Sequence, residues 1–106
     1  MRRGEIWTGG IYATKARPVV IIQDDHFVGT DSVTVLPLTT TIVDAPLLRI
    51  PVEPTPANGL EQLSHVMIDK VTTTQRTSVQ KRLGVLSSAD LVRIERSLLV
   101  FLGVAV

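Results

Sequence analysis

Short hydrophobic runs separated by turn residues occupy the chain up to residue 85 and limit what it can fold into. The runs are rich in β-branched side chains, and the segments between them contain turn or polar residues such as Gly9-Gly10, Gln23-Asp24 and Asn58-Gly59. Runs of this length are typical of β-strands rather than helices. We predict six strands, at Gly4–Thr8, Val19–Ile22, Ser32–Leu38, Leu47–Val52, Ser64–Val71 and Val79–Val85.

Two of these runs carry further information. Val19–Ile22 has no polar alternation, which indicates a strand buried on both faces. Leu47–Val52 contains Pro51 and leads into Pro54-Thr55-Pro56, which favours an edge strand or a loop. Six short strands at this spacing predict a small closed barrel or sandwich.

The hydrophobic period changes after Ser87. The segment Ser87-Ser88-Ala89-Asp90 resembles a helix N-terminus, with a serine cap and an acid three residues later. Apolar residues then recur at helical spacing, at Leu91, Ile94, Leu98, Phe101 and Leu102. We therefore expect one amphipathic C-terminal helix whose apolar face packs on the sheet.

Length and composition exclude several classes of protein. The 106 residues suit one domain, 1–106. The absence of cysteine excludes disulfides, thiolate zinc sites and cysteine nucleophiles. The N-terminus has no apolar run typical of a secretory signal, and the apolar end at Ser97–Val106 is half a membrane span. We expect a cytoplasmic protein with no cofactor and no metal.

The charged residues are unevenly distributed although the net charge is only +1. Basic residues concentrate at 2–17 and at 70–82, and acidic residues lie between them. If the two basic segments meet in space, they form a patch that attracts phosphate. Ordinary solvated surface charge is the simpler interpretation.

Few side chains are obvious candidates for chemistry. His26 and His65 are the histidines available as acid or base, but their positions beside strands favour surface or edge roles. Asp24 and Asp25 are adjacent acids at a strand end, which favours a solvated turn over a metal site. Trp7 is a candidate for base stacking, although its place in the first strand favours the core.

Arg17 and the run Thr39-Thr40-Thr41 lie at strand ends. Arg17 precedes Pro18, so its backbone is extended. A planar guanidinium there is suited to a forked contact with phosphate. An arginine or a run of threonines is also common at strand ends without any function. These residues alone therefore do not decide between a phosphate contact and an ordinary surface position.

Five segments in order resemble the MazF/PemK toxin family along nearly the whole chain. Arg3–Trp7 is similar to the family's R-G-D/E-I-W/Y, Arg17–Ile22 to R-P-V/A-V/L-I/V-I/V, Val35–Thr39 to V-x-P-I/L-T, Asp69–Val71 to D-Q-I/V, and Leu83–Ser87 to I/L-G-x-L/V-S/T. The resemblance implies a mainly β fold, a small SH3-like β-barrel with a C-terminal α-helix. It also implies a homodimer, inhibited by a MazE-like antitoxin with an acidic C-terminal segment.

The resemblance further implies a function. Members of this family are toxins of type II toxin–antitoxin systems, and the chain is expected to be an mRNA interferase, an endoribonuclease that cuts single-stranded RNA without a metal through a 2′,3′-cyclic phosphate. Arg17 occupies the place of the family's catalytic arginine, and Thr39 that of the active-site threonine. We predict RNA contacts by Lys15, Gln23, Thr40, Thr41, Lys70 and Arg76. The general base stays unassigned, because a guanidinium hardly deprotonates.

One segment departs from the family. Some relatives carry Arg-Thr-x-Asp after the fifth strand, where this chain has Thr72-Thr73-Thr74-Gln75. Lys70 also replaces the usual glutamine, and Arg76 lies four residues beyond the missing arginine. We expect these changes to alter the recognised RNA sequence.

Two alternatives belong to other classes of protein. A CcdB-like toxin, which poisons DNA gyrase by binding it, relies on a C-terminal tail with tryptophan, and this chain ends without one. An SH3-like adaptor needs an aromatic groove for polyproline ligands, and four aromatic residues are too few.

Overall fold

A computed structural model describes residues 1–10 and 16–106. Its regular elements are β1 (Glu5–Gly9), β2 (Arg17–Ile21), β3 (Ser32–Thr39), β4 (Arg49–Val52), β5 (Ser64–Met67), β6 (Thr72–Gln75), β7 (Val79–Val85) and α1 (Ser88–Phe101). Short 3₁₀ turns occur at Asp25–Phe27, Ile68–Lys70 and Arg76–Ser78. The prediction of a mainly β fold with a C-terminal helix is confirmed.

The strands form one antiparallel, barrel-like sheet in the order β4-β5-β3-β2-β1-β7, with β6 beside β3. The long strand β3 holds two partners on one side, because its C-terminal end pairs with β5 and its N-terminal half pairs with β6. In the described part of the chain, β4 and β7 end this order without pairing to each other. The sheet therefore curves without closing into the ring that the spacing suggested.

Both faces of the sheet bury hydrophobic side chains. The main core lies inside the curve, where Val20, Leu36 and Val66 meet α1 through Ile94. A second, smaller core on the opposite face contains Val19, Ile21, Val33, Val35 and Val79. Alternate residues of β2 thus enter different cores, which confirms that this run is buried on both faces.

The segment 64–75 differs from its prediction. The run Ser64–Val71 is not one strand, because a 3₁₀ turn at Ile68–Lys70 separates β5 from β6. No apolar alternation marks Thr72–Gln75, and its extended form comes instead from pairing with Ser32–Val35 of β3. Tertiary hydrogen bonding, which a local pattern does not reveal, produces this seventh strand.

Helix α1 begins at the predicted cap, where the Ser87 hydroxyl accepts a hydrogen bond from the Asp90 N–H. Ile94 is fully buried, and Leu91 and Leu98 pack against the main core. The prediction that Phe101 and Leu102 pack on the sheet is wrong, because 45% and 55% of their surface is exposed. The last helical turn extends past the core.

The helix is too short to cross a bilayer at 14 residues. Elsewhere in residues 1–10 and 16–106 there is likewise no helix with the length and apolar character of a membrane span.

Candidate active site

Arg17 is the first residue of β2, and its side chain is exposed. In β1 its partner is Gly9, which presents no side chain on that flank. On the other flank, β2 pairs with β3 so that Val19 faces Pro37 and Val20 faces Leu36. The same register, continued by two residues, places Arg17 opposite Thr39.

The pleat of the sheet puts the two side chains on one face. Side chains alternate between faces along a strand, so Arg17 shares the face of Val19, and Thr39 shares the face of Val35. Directly opposed residues of antiparallel strands have Cβ atoms about 5 Å apart. The guanidinium and the hydroxyl thus project from adjacent strands at one end of the second core's face.

The Thr39 hydroxyl is already oriented by its own loop. Its Oγ1 accepts a hydrogen bond from the Thr41 backbone N–H at 3.1 Å. A hydroxyl has two acceptor lone pairs and one proton to donate. Among residues 1–10 and 16–106, Thr39 therefore keeps one lone pair and its own proton for further partners.

His65 continues the row across the sheet, because it is the direct cross-strand partner of Thr39 in β5. Only 7% of its surface is exposed, so the prediction of a surface or edge position is wrong. Its Nδ1 is buried and has no hydrogen-bond partner among the described residues. We call Arg17, Thr39 and His65 the cross-strand row.

The position of His65 had one sequence signal. It alternates with the core residue Val66, which assigns His65 to the opposite face of its strand. The alternation does not show that this face is covered or that Thr39 lies beside it. Those facts depend on the pairing of β5 between β3 and β4.

Thr40 and Thr41 follow the row at the end of β3, and both are exposed. Thr40 borders a cleft of about 240 Å³. The other lining residues come from β2, β5, β7 and the loop before β5, namely Pro18, Gly59, Leu60, Glu61, Gln62, Ser64 and Leu83. Pro18 and Ser64 alternate with Arg17 and His65 along their strands, so this cleft opens on the opposite face of the sheet from the cross-strand row.

Lys70 is exposed in the 3₁₀ turn that joins β5 to β6. Since β5 pairs with the C-terminal end of β3 and β6 with its N-terminal half, this turn lies alongside the middle of β3. Lys70 is thus closer to the row than β6 is. Lys15, for which an RNA contact is also predicted, lies outside the described residues.

Gln23 and Arg76 lie at the other end of β3. Gln23 bonds to Phe27 O, Thr30 and the Thr34 N–H. Arg76 donates to the carbonyl oxygens of Thr30 and Phe27. Ser32, next to β6, lies seven positions along β3 from Thr39, a span of about 23 Å. The structure therefore places Gln23 and Arg76 close to each other and away from the cross-strand row.

Ion pairs neutralise much of the basic charge. The described pairs are Arg3–Glu95, Arg49–Asp69, Arg82–Glu5 and Arg93–Asp90. Neither Arg17 nor Lys70 takes part in a described ion pair. The two basic segments do meet, along the β1–β7 pairing and at Arg2 and Arg76, which line one cleft of about 410 Å³ together with Asp25.

The remaining candidates have structural partners. His26 is exposed and its Nδ1 lies 2.8 Å from Asp24 Oδ1. Hydrogen bonds from the His26 backbone and ring lower the pKa of the Asp24 carboxyl. Asp25 accepts the Arg3 N–H at 2.8 Å. Trp7 is half-buried against the second core, which agrees with its expected core role.

Comparison with known proteins gives a consistent result. The family model described as "PemK-like, MazF-like toxin of type II toxin-antitoxin system" matches residues 2–102. A curated protein of Mycolicibacterium smegmatis, named "Probable endoribonuclease MazF", is 59% identical over 108 residues and covers 99% of both chains.

Solved structures agree with this result. The Mycobacterium tuberculosis toxin MazF-mt6 superposes with a TM-score of 0.83 at 25% identity, covering 96% of this chain and 99% of that one. A mycobacterial structure titled "Endoribonuclease in complex with its cognate antitoxin" has the same TM-score at 23% identity, covers 100% of this chain and 98% of that one, and shares the fold. The chain belongs to the PemK-like, MazF-like toxin family of type II toxin–antitoxin systems.

Proposed function

We propose that this protein is an endoribonuclease toxin that cuts single-stranded RNA at the cross-strand row. The observation that carries the proposal is the β2–β3 register at Val19–Ile21, which, extended by two residues, sets the exposed Arg17 opposite Thr39 on the same face of the sheet. These are the two residues whose family counterparts are catalytic. The smegmatis relative, which bears the name of an endoribonuclease, matches the whole chain and supports the same activity.

The chemistry follows from the groups available. Arg17 binds the nonbridging oxygens of the scissile phosphate and stabilises the charge that accumulates as phosphorus becomes pentacoordinate. The neighbouring ribose 2′-oxygen attacks phosphorus while the bond to the 5′-oxygen breaks. The products are a 2′,3′-cyclic phosphate and a 5′-hydroxyl, and Thr39 adds a hydrogen bond at the reacting linkage. No step requires a metal.

RNA contacts extend from the row in two directions. Thr40 and Thr41 lie beside the scissile linkage. Lys70 and Lys15 supply positive charge for the phosphate chain. Gln23 and Arg76 lie about 16–23 Å from Thr39 along β3, so they contact RNA only where the bound strand runs the length of β3.

The toxin acts in the cytoplasm as a homodimer of one-domain chains and is inhibited by an antitoxin. The exposed apolar end of α1 supports a dimer, since patches of this kind mark interaction surfaces. The mycobacterial structural relative is titled as a complex with its cognate antitoxin. An acidic C-terminal segment of a MazE-like partner complements the charges of Arg17 and Lys70, which have no ion-pair partner in the described part of the chain, and competes with RNA for them.

One experiment tests the activity. The purified chain is incubated with a long single-stranded RNA in EDTA, and the ends of the fragments are mapped. Cuts with 2′,3′-cyclic phosphate and 5′-hydroxyl ends are expected, and Arg17→Ala is expected to lose at least about 100-fold in rate. Arg96→Ala, which removes an exposed arginine from α1, is the matched control and retains the activity.

Three results would contradict the proposed activity or its mechanism. Intact RNA with the wild-type chain overturns the proposal, and a blocked supercoiling reaction in a parallel gyrase assay then favours the gyrase-binding alternative. Equal cutting by Arg17→Ala and wild type removes Arg17 from the mechanism. Fragments with 3′-hydroxyl ends exclude attack by the 2′-oxygen.

A further inference from the structure

We propose that His65 is a positioning residue of the cleavage site, which accepts the proton of the attacking 2′-hydroxyl through Thr39. The inference rests on the proposed function and names the proton acceptor that the arginine–threonine pair lacks. It is carried by two observations. His65 is the cross-strand partner of Thr39, and its Nδ1 is buried without a hydrogen-bond partner among the described residues.

The buried nitrogen is unusual for a folded protein. Buried polar atoms are almost always hydrogen-bonded, and an exception often marks a functional group. His65 and Thr39 face each other across two strands, with Cβ atoms about 5 Å apart. A side-chain rotation within this distance is enough to bring Nδ1 and the threonine hydroxyl together, and catalytic hydrogen bonds commonly tighten only when substrate binds.

The Thr39 hydroxyl is able to supply the hydrogen bond that His65 Nδ1 lacks. Its Oγ1 has used one lone pair on the Thr41 N–H, which leaves one lone pair and one proton. The lone pair accepts the 2′-hydroxyl proton of the RNA, and the Thr39 proton is donated to Nδ1. All of the hydroxyl's bonding capacity is then in use.

The proton balance of the step is complete. The 2′-O–H bond breaks as its proton moves to Thr39, and the Thr39 proton moves to His65, which becomes imidazolium. The 2′-O–P bond forms and the P–5′-O bond breaks. In-line attack places the 5′-oxygen on the far side of phosphorus from the 2′-oxygen and from His65. The leaving 5′-oxygen therefore takes its proton from water. Imidazolium returns its proton to solvent after the products leave.

Few charged groups surround this imidazole. On the same face of β3 the nearest positions, Pro37 and Thr39, do not titrate. On β4 the same face carries Arg49, which is paired with Asp69, and Glu53 follows that strand. Arg17 lies one strand beyond Thr39, about 10 Å away. No described carboxylate forms an ion pair with His65.

The variant His65→Asn tests the proposal, because asparagine keeps a hydrogen-bonding atom near the position of Nδ1 but cannot take up a proton. We expect kcat for RNA cleavage to fall by about 10²–10⁴-fold with KM nearly unchanged. The rise of wild-type kcat with pH between about 5 and 8 is expected to be absent in the variant. His26→Asn, an exposed histidine bonded to Asp24, is the control and behaves as wild type.

A double-variant cycle separates proton transfer from packing. Once Thr39→Val has removed the relay, adding His65→Asn is expected to cause no further loss of kcat. Losses that multiply instead would indicate independent, structural effects and overturn the proposal. His65→Asn that cuts at the wild-type rate with an unchanged pH profile also overturns it. Wild-type chain that leaves RNA intact overturns the proposed function itself.

A measurement on the wild-type protein covers the case in which the variant does not fold. The ¹⁵N NMR signals of His65 are recorded at pH 7.5, free and with an RNA that carries 2′-O-methyl at the cut site. The proposal requires an unprotonated Nδ1, and a protonated Nδ1 would overturn it.

Discussion

The indole N–H of Trp7 donates a hydrogen bond to the Glu5 carboxylate at 3.1 Å, which ties together two residues of the opening motif. The same carboxylate accepts the Arg2 N–H and pairs with Arg82 of β7 at 2.8 Å. Burial acts to raise the pKa of Glu5, but these hydrogen bonds and the charge of Arg82 outweigh it and lower the pKa to about 2.

This shift predicts a pH dependence of stability. A carboxyl with a depressed folded-state pKa stabilises the protein above its unfolded pKa, and the contribution disappears as the pH falls. We expect up to about 3 kcal/mol of the free energy of unfolding to be lost between pH 4.5 and about 2. Urea denaturation of Glu5→Gln should show a smaller loss over this range than wild type. Glu53→Gln, at an exposed position, should lose as much stability as wild type. If the free energy of unfolding of Glu5→Gln falls with pH in parallel with that of wild type, the prediction is contradicted.

The contribution of Thr39 is predicted from its hydroxyl. Thr39→Val keeps the β-branched shape but removes the hydroxyl oxygen and with it the relay to His65. Its kcat for RNA cleavage should therefore fall at least as far as that of His65→Asn, by about 10²–10⁴-fold. Thr39→Ser restores the hydroxyl and should recover most of the rate. Thr77→Val, an exposed threonine in the turn before β7, is the control. Equal activity of the valine and serine variants would exclude a role for the hydroxyl.

The close approach of β7 to the loop before β5 predicts an effect on stability. A Cβ on Gly84 would clash with the Ala57 carbonyl oxygen, so Gly84→Ala should lower the free energy of unfolding by about 1–3 kcal/mol. An added Cβ on Gly29 meets no atom within 4 Å. Gly29→Ala should therefore change stability by less than about 0.5 kcal/mol in the same urea titration. Similar losses in both variants would contradict this account.

The exposed end of α1 predicts a change in assembly. Phe101 is 45% exposed within an apolar patch, and Phe101→Glu should convert the proposed dimer to a monomer in sedimentation velocity. Leu47→Glu makes the same kind of change at a residue that is 76% exposed in a loop, and it should leave the dimer intact. A dimeric Phe101→Glu protein would place the interface elsewhere.

Local patterns predicted much of the architecture because they report burial along each element. Alternation and β-branched runs located five of the strands closely, and the serine cap located the start of α1. They failed at β6, where Thr72–Gln75 has no pattern and extends only because β3 offers hydrogen bonds. They also failed at Phe101 and Leu102, since helical spacing does not show where the core ends.

For the candidate site, the sequence by itself determined the residue types and the family, through motifs such as Arg17-Pro18 and the threonine that ends β3. Only the tertiary structure decided which of these groups meet. The register of β2, β3 and β5 aligns Arg17, Thr39 and His65 across three strands and buries the imidazole. Register depends on hydrogen bonds between segments distant in the chain, and no single segment encodes it.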